Sequence, residues 1–190
     1  TVLYRQERFE LLTHGEFWLS PTPEVPSSTG FADPQLPRLV HWVELRAKHT
    51  RRSLYFASTH VDNNSPSQEK SAPLILERLA PWQERMPVVL LGDFNSTPSS
   101  TAYGLITEGI DGPPPLSDTQ PLAKSWSVAH NQPTEPDYPL ADRIDHVFIA
   151  PSPKQWTVSA WFVDLYVYGP EDRYPSDHWP IVAELTAPAM

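Results

Sequence analysis

Gly92-Asp93-Phe94-Asn95 closes the apolar run Val88-Val89-Leu90-Leu91, so a carboxylate and a carboxamide are carried at the mouth of a buried strand. The C-terminal ends of strands are where open α/β sheets place their chemistry. Asp and Asn are also ordinary turn residues, and this tetrad alone decides nothing. Three further clusters repeat the design. Leu54 to Thr59 runs into His60-Val61-Asp62-Asn63, Arg143-Ile144-Asp145-His146 enters Val147-Phe148-Ile149, and Ser176-Asp177-His178 precedes Trp179-Pro180-Ile181-Val182. Taken singly, a histidine beside a strand is usually a hydrogen-bonding residue, and Arg-x-Asp is often a surface ion pair. Together the four clusters hold Asp, Asn and His in the proportions that an oxygen-ligand metal site and a phosphate clamp require.

The elements that must position these clusters can be read from periodicity. Val40 to Arg46 and Ser53 to Thr59 are strand-like runs joined by His49-Thr50-Arg51-Arg52, which predicts a hairpin. Ser65-Pro66-Ser67-Gln68 then offers an N-cap, a proline at the first helical position and a capping-box glutamine. Ala72, Ile75, Leu76, Leu79 and Trp82 follow at helical spacing, a packing stripe that Pro73 and Pro81 would interrupt. Thr97-Pro98 starts a second short helix carrying Ala102, Leu105 and Ile106. From Gly109 to Leu140 the chain is polar, proline-rich and aperiodic, which predicts a long surface loop. Trp156 to Val163 and Ile181 to Leu185 read as closing strands. There is no internal repeat and no linker between two cores, so residues 1–190 are expected to form one domain.

Composition is that of an ordinary folded domain, since 190 residues are enough to bury a sizeable core. Lys and Arg number 14 against 23 Asp and Glu, a formal net charge of −9 that argues against the basic stripe of a strong non-specific nucleic-acid binder. Cysteine is absent, which removes disulfide and thiolate chemistry. The 23 prolines imply rigid loops, and no signal-peptide pattern or 18-residue apolar span, hence no transmembrane segment, is found. No Gly-x-Ser-x-Gly elbow or His-Glu-x-x-His occurs, and Gly104 to Gly109 has P-loop spacing without the lysine. The seven histidines lack zinc spacing; His14, His41, His49 and His130 read as surface or packing residues.

The order Thr-His, Gly-Asp-Phe-Asn, Arg-Ile-Asp-His, Ser-Asp-His-Trp-Pro-Ile resembles the endonuclease/exonuclease/phosphatase superfamily of metal-dependent phosphoesterases, from Tyr4 to Leu185. Leu3 to Leu12 and Phe17 to Pro23 are likewise similar to the middle of bacterial members. The resemblance implies an α/β fold, a four-layer αββα sandwich of two mixed sheets, of which this chain is the C-terminal two-thirds. It also exposes a gap, because family members open with a strand bearing an Asn and a second bearing a metal-binding Glu. No Gln-Glu strand end occurs here: Glu7, Glu10 and Glu16 lie in the wrong segment, and Glu44 is inside an alternating strand. Unpaired strand edges would follow, together with a need for a complementing N-terminal segment or a second copy.

Phosphoester hydrolysis needs a water held in line with the leaving oxygen and charge neutralisation on the non-bridging oxygens. Asp93 is the candidate to orient and activate that water, with Asn95 donating to the phosphate or nucleophile. Asp145 and His178 read as a pair in which the carboxylate fixes the imidazole tautomer and raises its pKa. Asp177 is the candidate metal-side carboxylate. The resemblance places His60 on the phosphate with Asn63 in support; Arg38 is either a phosphate contact or half of a structural ion pair. Mg²⁺, with Mn²⁺ as a substitute, is the expected ion, because hard oxygen ligands are present and soft ones are not. The substrate expected is a phosphoester, a small molecule or a nucleic acid. The alternative is a catalytically incompetent fragment or binding module that keeps the fold without the metal-binding Glu.

Overall fold

Two alternating runs form the expected hairpin, β2 (Leu39–Ala47) and β3 (Ser53–His60), antiparallel with Val40 opposite Thr59. β1 (Phe9–Trp18) pairs on the other side of β2, and β4 (Val88–Asp93) lies parallel to β3. A parallel neighbour requires a crossover, supplied by α1 (Ser65–Gln83). β7 (Asp145–Ala150) runs antiparallel to β4, and the two-residue β5 (Ser117–Asp118) completes a sheet of order β1-β2-β3-β4-β7-β5. A second sheet has the order β6-β8-β9, from β6 (Trp126–Ala129), β8 (Thr157–Asp164) and β9 (Ile181–Thr186). The computed structural model describes residues 1–31, 36–151 and 155–188.

Alternation along the strands divides the core in two. Tyr55, Ala57, Val88, Leu90 and Phe148 pack against α1 and α2 (Thr101–Glu108), while Leu54, Phe56, Val89, Leu91, Val147 and Ile149 face the second sheet. The result is the α/β arrangement expected: two mixed sheets face to face, with helices on the outer side of the larger one. Among the described residues no helix covers the outer side of the smaller sheet, and no helix is long and apolar enough to cross a membrane. Among the described residues β9 pairs only with β8. Beside it the inter-sheet space opens into a cavity of about 720 Å³ walled by Leu54, Phe56, Val89, Trp156, Ala183 and Leu185.

Several local expectations are corrected. The N-cap of α1 is Asn64 rather than Ser65, its side chain accepting from Ser67 N at 3.2 Å. Gln68 closes no capping box and instead donates to Asn95 O at 2.6 Å. Pro73 and Pro81 do not divide α1, because Ala72, Ile75, Leu76 and Leu79 are all fully buried and their packing outweighs the lost backbone bonds. Thr97-Pro98 forms a turn, and α2 begins after the Ser100 cap. The segment from 109 to 140 is no uniform loop, since it contributes β5 and β6.

Gly92 carries the tightest backbone contact of the site-bearing strands. Its φ is 142°, and a Cβ there would stand 1.9 Å from Thr59 O. Only glycine lets β4 approach β3 this closely. Gly92→Ala is expected to lower stability by about 2 kcal/mol or more in urea unfolding. A loss below about 0.5 kcal/mol would show that the strands can separate there without cost.

Candidate active site

Strand register assembles the site. His60 is the partner of Asp93 across β3 and β4, and Asp93 is the partner of Asp145 across β4 and β7, so three residues from three strands stand in one row at one sheet end. The ladder continues just past the strands, where Val61 N donates to Asp93 O and Phe94 N to Ile144 O, both at 2.9 Å. His178 arrives from the segment before β9. Its Nδ1 lies 2.7 Å from Asp145 Oδ2, and its backbone N–H is held by Ser176 Oγ at 3.0 Å.

Asp93 is the hub. Its Oδ1 accepts from Asn95 N at 2.8 Å, while Oδ2 faces His60 Nε2 at 3.2 Å and His178 Nε2 at 3.8 Å. Asn95 adopts a left-handed conformation with φ of 50°, a turn geometry that asparagine tolerates, and its carboxamide Nδ2 donates to Val61 O at 2.9 Å. One amide hydrogen is thus spent on binding the β3 and β4 ends together. Asp177 is exposed and lines the same cleft as Asp145 and His178. Asn63 stands outside the row: its backbone N–H bonds Asp62 Oδ1, and its side chain makes no hydrogen bond among the described residues. Arg38 forms no ion pair with a described residue; it borders a cavity with His41 and His60, and its Nε is buried without a partner.

The electrostatics favour a shared proton. The hydrogen bond that His178 donates to Asp145 raises the His178 pKa above the usual imidazole value against the opposing effect of desolvation, and the Asp93 and Asp177 charges add to the rise. Burial raises the Asp145 carboxyl as well, with Asp93 reinforcing it and His178 opposing. Both directions mean that the pair keeps its proton to higher pH than either group alone.

Beneath the row lies a buried network that sequence reasoning missed. Asp118 Oδ2 takes Arg143 Nη2 at 2.5 Å and the Tyr103 hydroxyl at 2.9 Å, with His146 Nδ1 at 3.4 Å. His146 Nε2 meets Ser96 O at 2.9 Å, and Arg143 Nη1 donates to Leu140 O at 2.9 Å. Burial alone would raise Asp118, but the His146 contact and the Arg143 charge overcome it and bring the carboxyl down to about 2. Arg143 and His146 flank Asp145 in sequence, and Ser96 follows Asn95, so this network fixes the backbone from which the site residues project. The only sequence signal was the step Leu116-Ser117-Asp118-Thr119, too short to show alternation.

Arranged this way, the residues offer a carboxylate between two imidazoles beside a second carboxylate that holds a proton on one of them. Among the described residues no group of three or more His, Cys, Asp or Glu is placed to enclose a metal ion. The donors that do face the cleft, Asp177 foremost, are hard oxygens of the kind that Mg²⁺ accepts while keeping most of its waters.

Comparison with known proteins bears on the family and the fold. The model of the Endonuclease/Exonuclease/phosphatase family matches residues 14–178. A mannosyl-6-phosphatase of Bacteroides thetaiotaomicron VPI-5482 is 29% identical with a TM-score of 0.79, over 96% of this chain and 69% of that one. An endonuclease/exonuclease/phosphatase from Bacteroides vulgatus is 27% identical with a TM-score of 0.79, over 97% and 68%. The human Nocturnin catalytic domain, at 18% identity and a TM-score of 0.64 over 96% and 61%, shares the fold. Among curated proteins, the Carbon catabolite repressor protein 4 homolog 4 of Arabidopsis thaliana is 30% identical over 133 residues, which are 60% of this chain and 32% of that protein's length. The chain therefore spans about a third of that relative. With the family match extending across all four site clusters, this chain belongs to the endonuclease/exonuclease/phosphatase family.

Proposed function

We propose that the complete polypeptide hydrolyses phosphoester bonds at the row formed by His60, Asp93 and Asp145 with His178. The observation that carries this reading is the placement of Asp93 Oδ2 against two imidazole Nε2 atoms, at 3.2 and 3.8 Å, while Asp145 holds His178 Nδ1 at 2.7 Å. Asp93 takes a proton from the attacking water, whose oxygen bonds to phosphorus as the ester P–O bond breaks; the leaving oxygen takes up a proton from solvent and departs as the alcohol, and Asp93 returns its proton to solvent. Asn95 N holds the other Asp93 oxygen, which fixes the direction of the base. His178, kept cationic by Asp145, and His60 turn N–H groups to the phosphate oxygens, where charge stabilisation is worth most. Arg38, beside His60, adds a donor, and Asn63 supports the His60 turn. Asp177 would hold a Mg²⁺ ion, or Mn²⁺ in its place, and that ion would neutralise charge that three carboxylates otherwise leave uncompensated.

The relatives include a mannosyl-6-phosphatase, which supports phosphomonoester chemistry among the closely similar folds. The unpaired edge of β9 and the half-buried Ile181, Ala183 and Leu185 support a further strand docking there. We infer that a complementing segment or a second copy of the chain covers that edge. The two sheets share an apolar interior, which supports one domain over residues 1–190.

With Mg²⁺ present, Asp93→Ala or His178→Ala in the complete polypeptide should each lower kcat on a chromogenic phosphoester by about 10²-fold or more. Chelation with EDTA should abolish turnover and added Mg²⁺ restore it. Losses under about threefold in both variants, with circular dichroism unchanged, would assign the chemistry to other residues.

A second expectation concerns protonation. Because Asp145 is the largest cause of the raised His178 pKa, Asp145→Asn should bring the His178 NMR titration down toward the ordinary histidine value. Both partners are raised, so their contribution to folded stability is complete in acid and lost as pH rises through the raised values. The falling alkaline limb of activity should move to lower pH in the variant. An unchanged His178 titration would mean that Asp145 does not hold the proton.

A further inference from the structure

The row of site residues opens on two sides with opposite chemistry. Beside His60 the cavity wall includes Arg38 and His41. Beside His178 a smaller cleft, of about 190 Å³, continues past Asp145 and Asp177 to Tyr138, Asp142 and Trp179. This second cleft is built of rings and carboxylates. Trp179 is gripped edge-on by Tyr138 and by Tyr174, at centroid distances of 5.8 and 6.0 Å with interplanar angles of 80° in both pairs. Tyr138 also contacts the buried Trp161 at 6.3 Å, so the aromatic wall is anchored in the core and is not a loose surface feature. Asp142, at the end of the short 3₁₀ turn Leu140–Asp142, is exposed at the rim and makes no ion pair among the described residues.

Charge decides what can enter. Apart from His178, which the reading above engages with the scissile phosphate, Arg143 is the one cation among the described residues of this lining, and it is already spent: its side chain is 6% exposed, with Nη2 on Asp118 and Nη1 on Leu140 O. A nucleic-acid chain entering the cleft would bring a second phosphate against Asp142 and Asp177 with no free cation to receive it, in a protein of formal net charge −9. A neutral ring bearing hydroxyl groups meets the opposite situation. Its C–H faces lie on aromatic rings, and its O–H groups donate to carboxylates in charge-assisted hydrogen bonds. The volume also limits the occupant, because drug-sized ligands fill about 300–1,000 Å³ and this cleft holds roughly one ring.

We propose that the cleft formed by Tyr138, Asp142 and Trp179 is the subsite for the organic part of the substrate, and that it takes a small, singly phosphorylated polyol such as a hexose phosphate. This rests on the phosphoesterase reading above and adds the substrate class. The phosphate lies toward His60 and Arg38, the polyol toward Trp179, and Asp142 selects the ring by accepting its hydroxyl hydrogens.

The test compares a hexose 6-phosphate, phenyl phosphate and a short single-stranded oligothymidylate as substrates of the complete polypeptide with Mg²⁺, alongside calorimetric binding of the hexose 6-phosphate. The hexose phosphate should give the highest kcat/KM. In Asp142→Ala the ratio of its kcat/KM to that of phenyl phosphate should fall about tenfold or more, chiefly through KM, as expected for loss of hydrogen bonds to a charged acceptor. Asp142→Asn, which keeps the shape and an acceptor oxygen, should lose less. Faster hydrolysis of the oligothymidylate than of the hexose phosphate, or an unchanged ratio in Asp142→Ala, would overturn the subsite and leave the phosphoesterase reading standing. Hexose phosphate binding that is weakened by Asp142→Ala, with no turnover of any of the three substrates, would support the subsite and overturn the phosphoesterase reading.

Discussion

One register row governs this molecule: His60, Asp93 and Asp145 are successive partners across β3, β4 and β7. Because side chains alternate along a strand, a slip of one residue in either pairing would turn the displaced residue to the opposite face of the sheet. The register is protected from both directions. Val88, Leu90 and Phe148 are fully buried against the helices, and Val89 and Ile149 against the second sheet, so a slipped strand would move apolar groups into unmatched environments. Gly92, one residue before Asp93, allows the close approach of β4 to Thr59 that brings Asp93 alongside His60. The position of the chemistry is thus a consequence of core packing.

The buried Asp118 network is a second constraint with a different physical character. An isolated ionised carboxylate at 2% side-chain exposure would be very costly, and the network makes it tolerable by supplying a guanidinium, a phenol, an imidazole and the Gln120 backbone N–H. Such clusters contribute definition more than net stability, since an apolar replacement of equal volume can be equally stable. Here the definition falls on the segments that carry Asp145 and Asn95. Gln68 serves the same end from α1, because its donation to Asn95 O links the crossover helix to the tip of β4.

Most of the sheet was legible before the structure. The runs that became β2, β3, β4, β7, β8 and β9 are long enough for apolar content and alternation to stand out, and their polar ends coincide with the site. What could not be read depended on partners distant in sequence. β5 has two residues and β6 has four; their pairing with β7 and β8 comes from tertiary contacts rather than local preference. Asp118 was indistinguishable from a loop acid for that reason. Gln68 has the spacing of a capping box, yet a better acceptor, Asn95 O, is presented to it by another strand. Arg38 was left between a phosphate contact and an ion pair, and the structure removes the ion pair among the described residues while placing the side chain beside His60. Asn63 followed from resemblance alone, and its side chain stands apart from the cluster.

The central claim is that residues separated by more than a hundred positions act as one phosphate-handling site. Titration of the complete polypeptide with inorganic phosphate in the presence of Mg²⁺, followed through the histidine ring resonances by NMR, tests it most directly. The account predicts that the His60 and His178 signals move together with one dissociation constant, while those of the exposed His14 and His49 stay in place. A response of His178 without His60, or a response confined to other histidines, would contradict it.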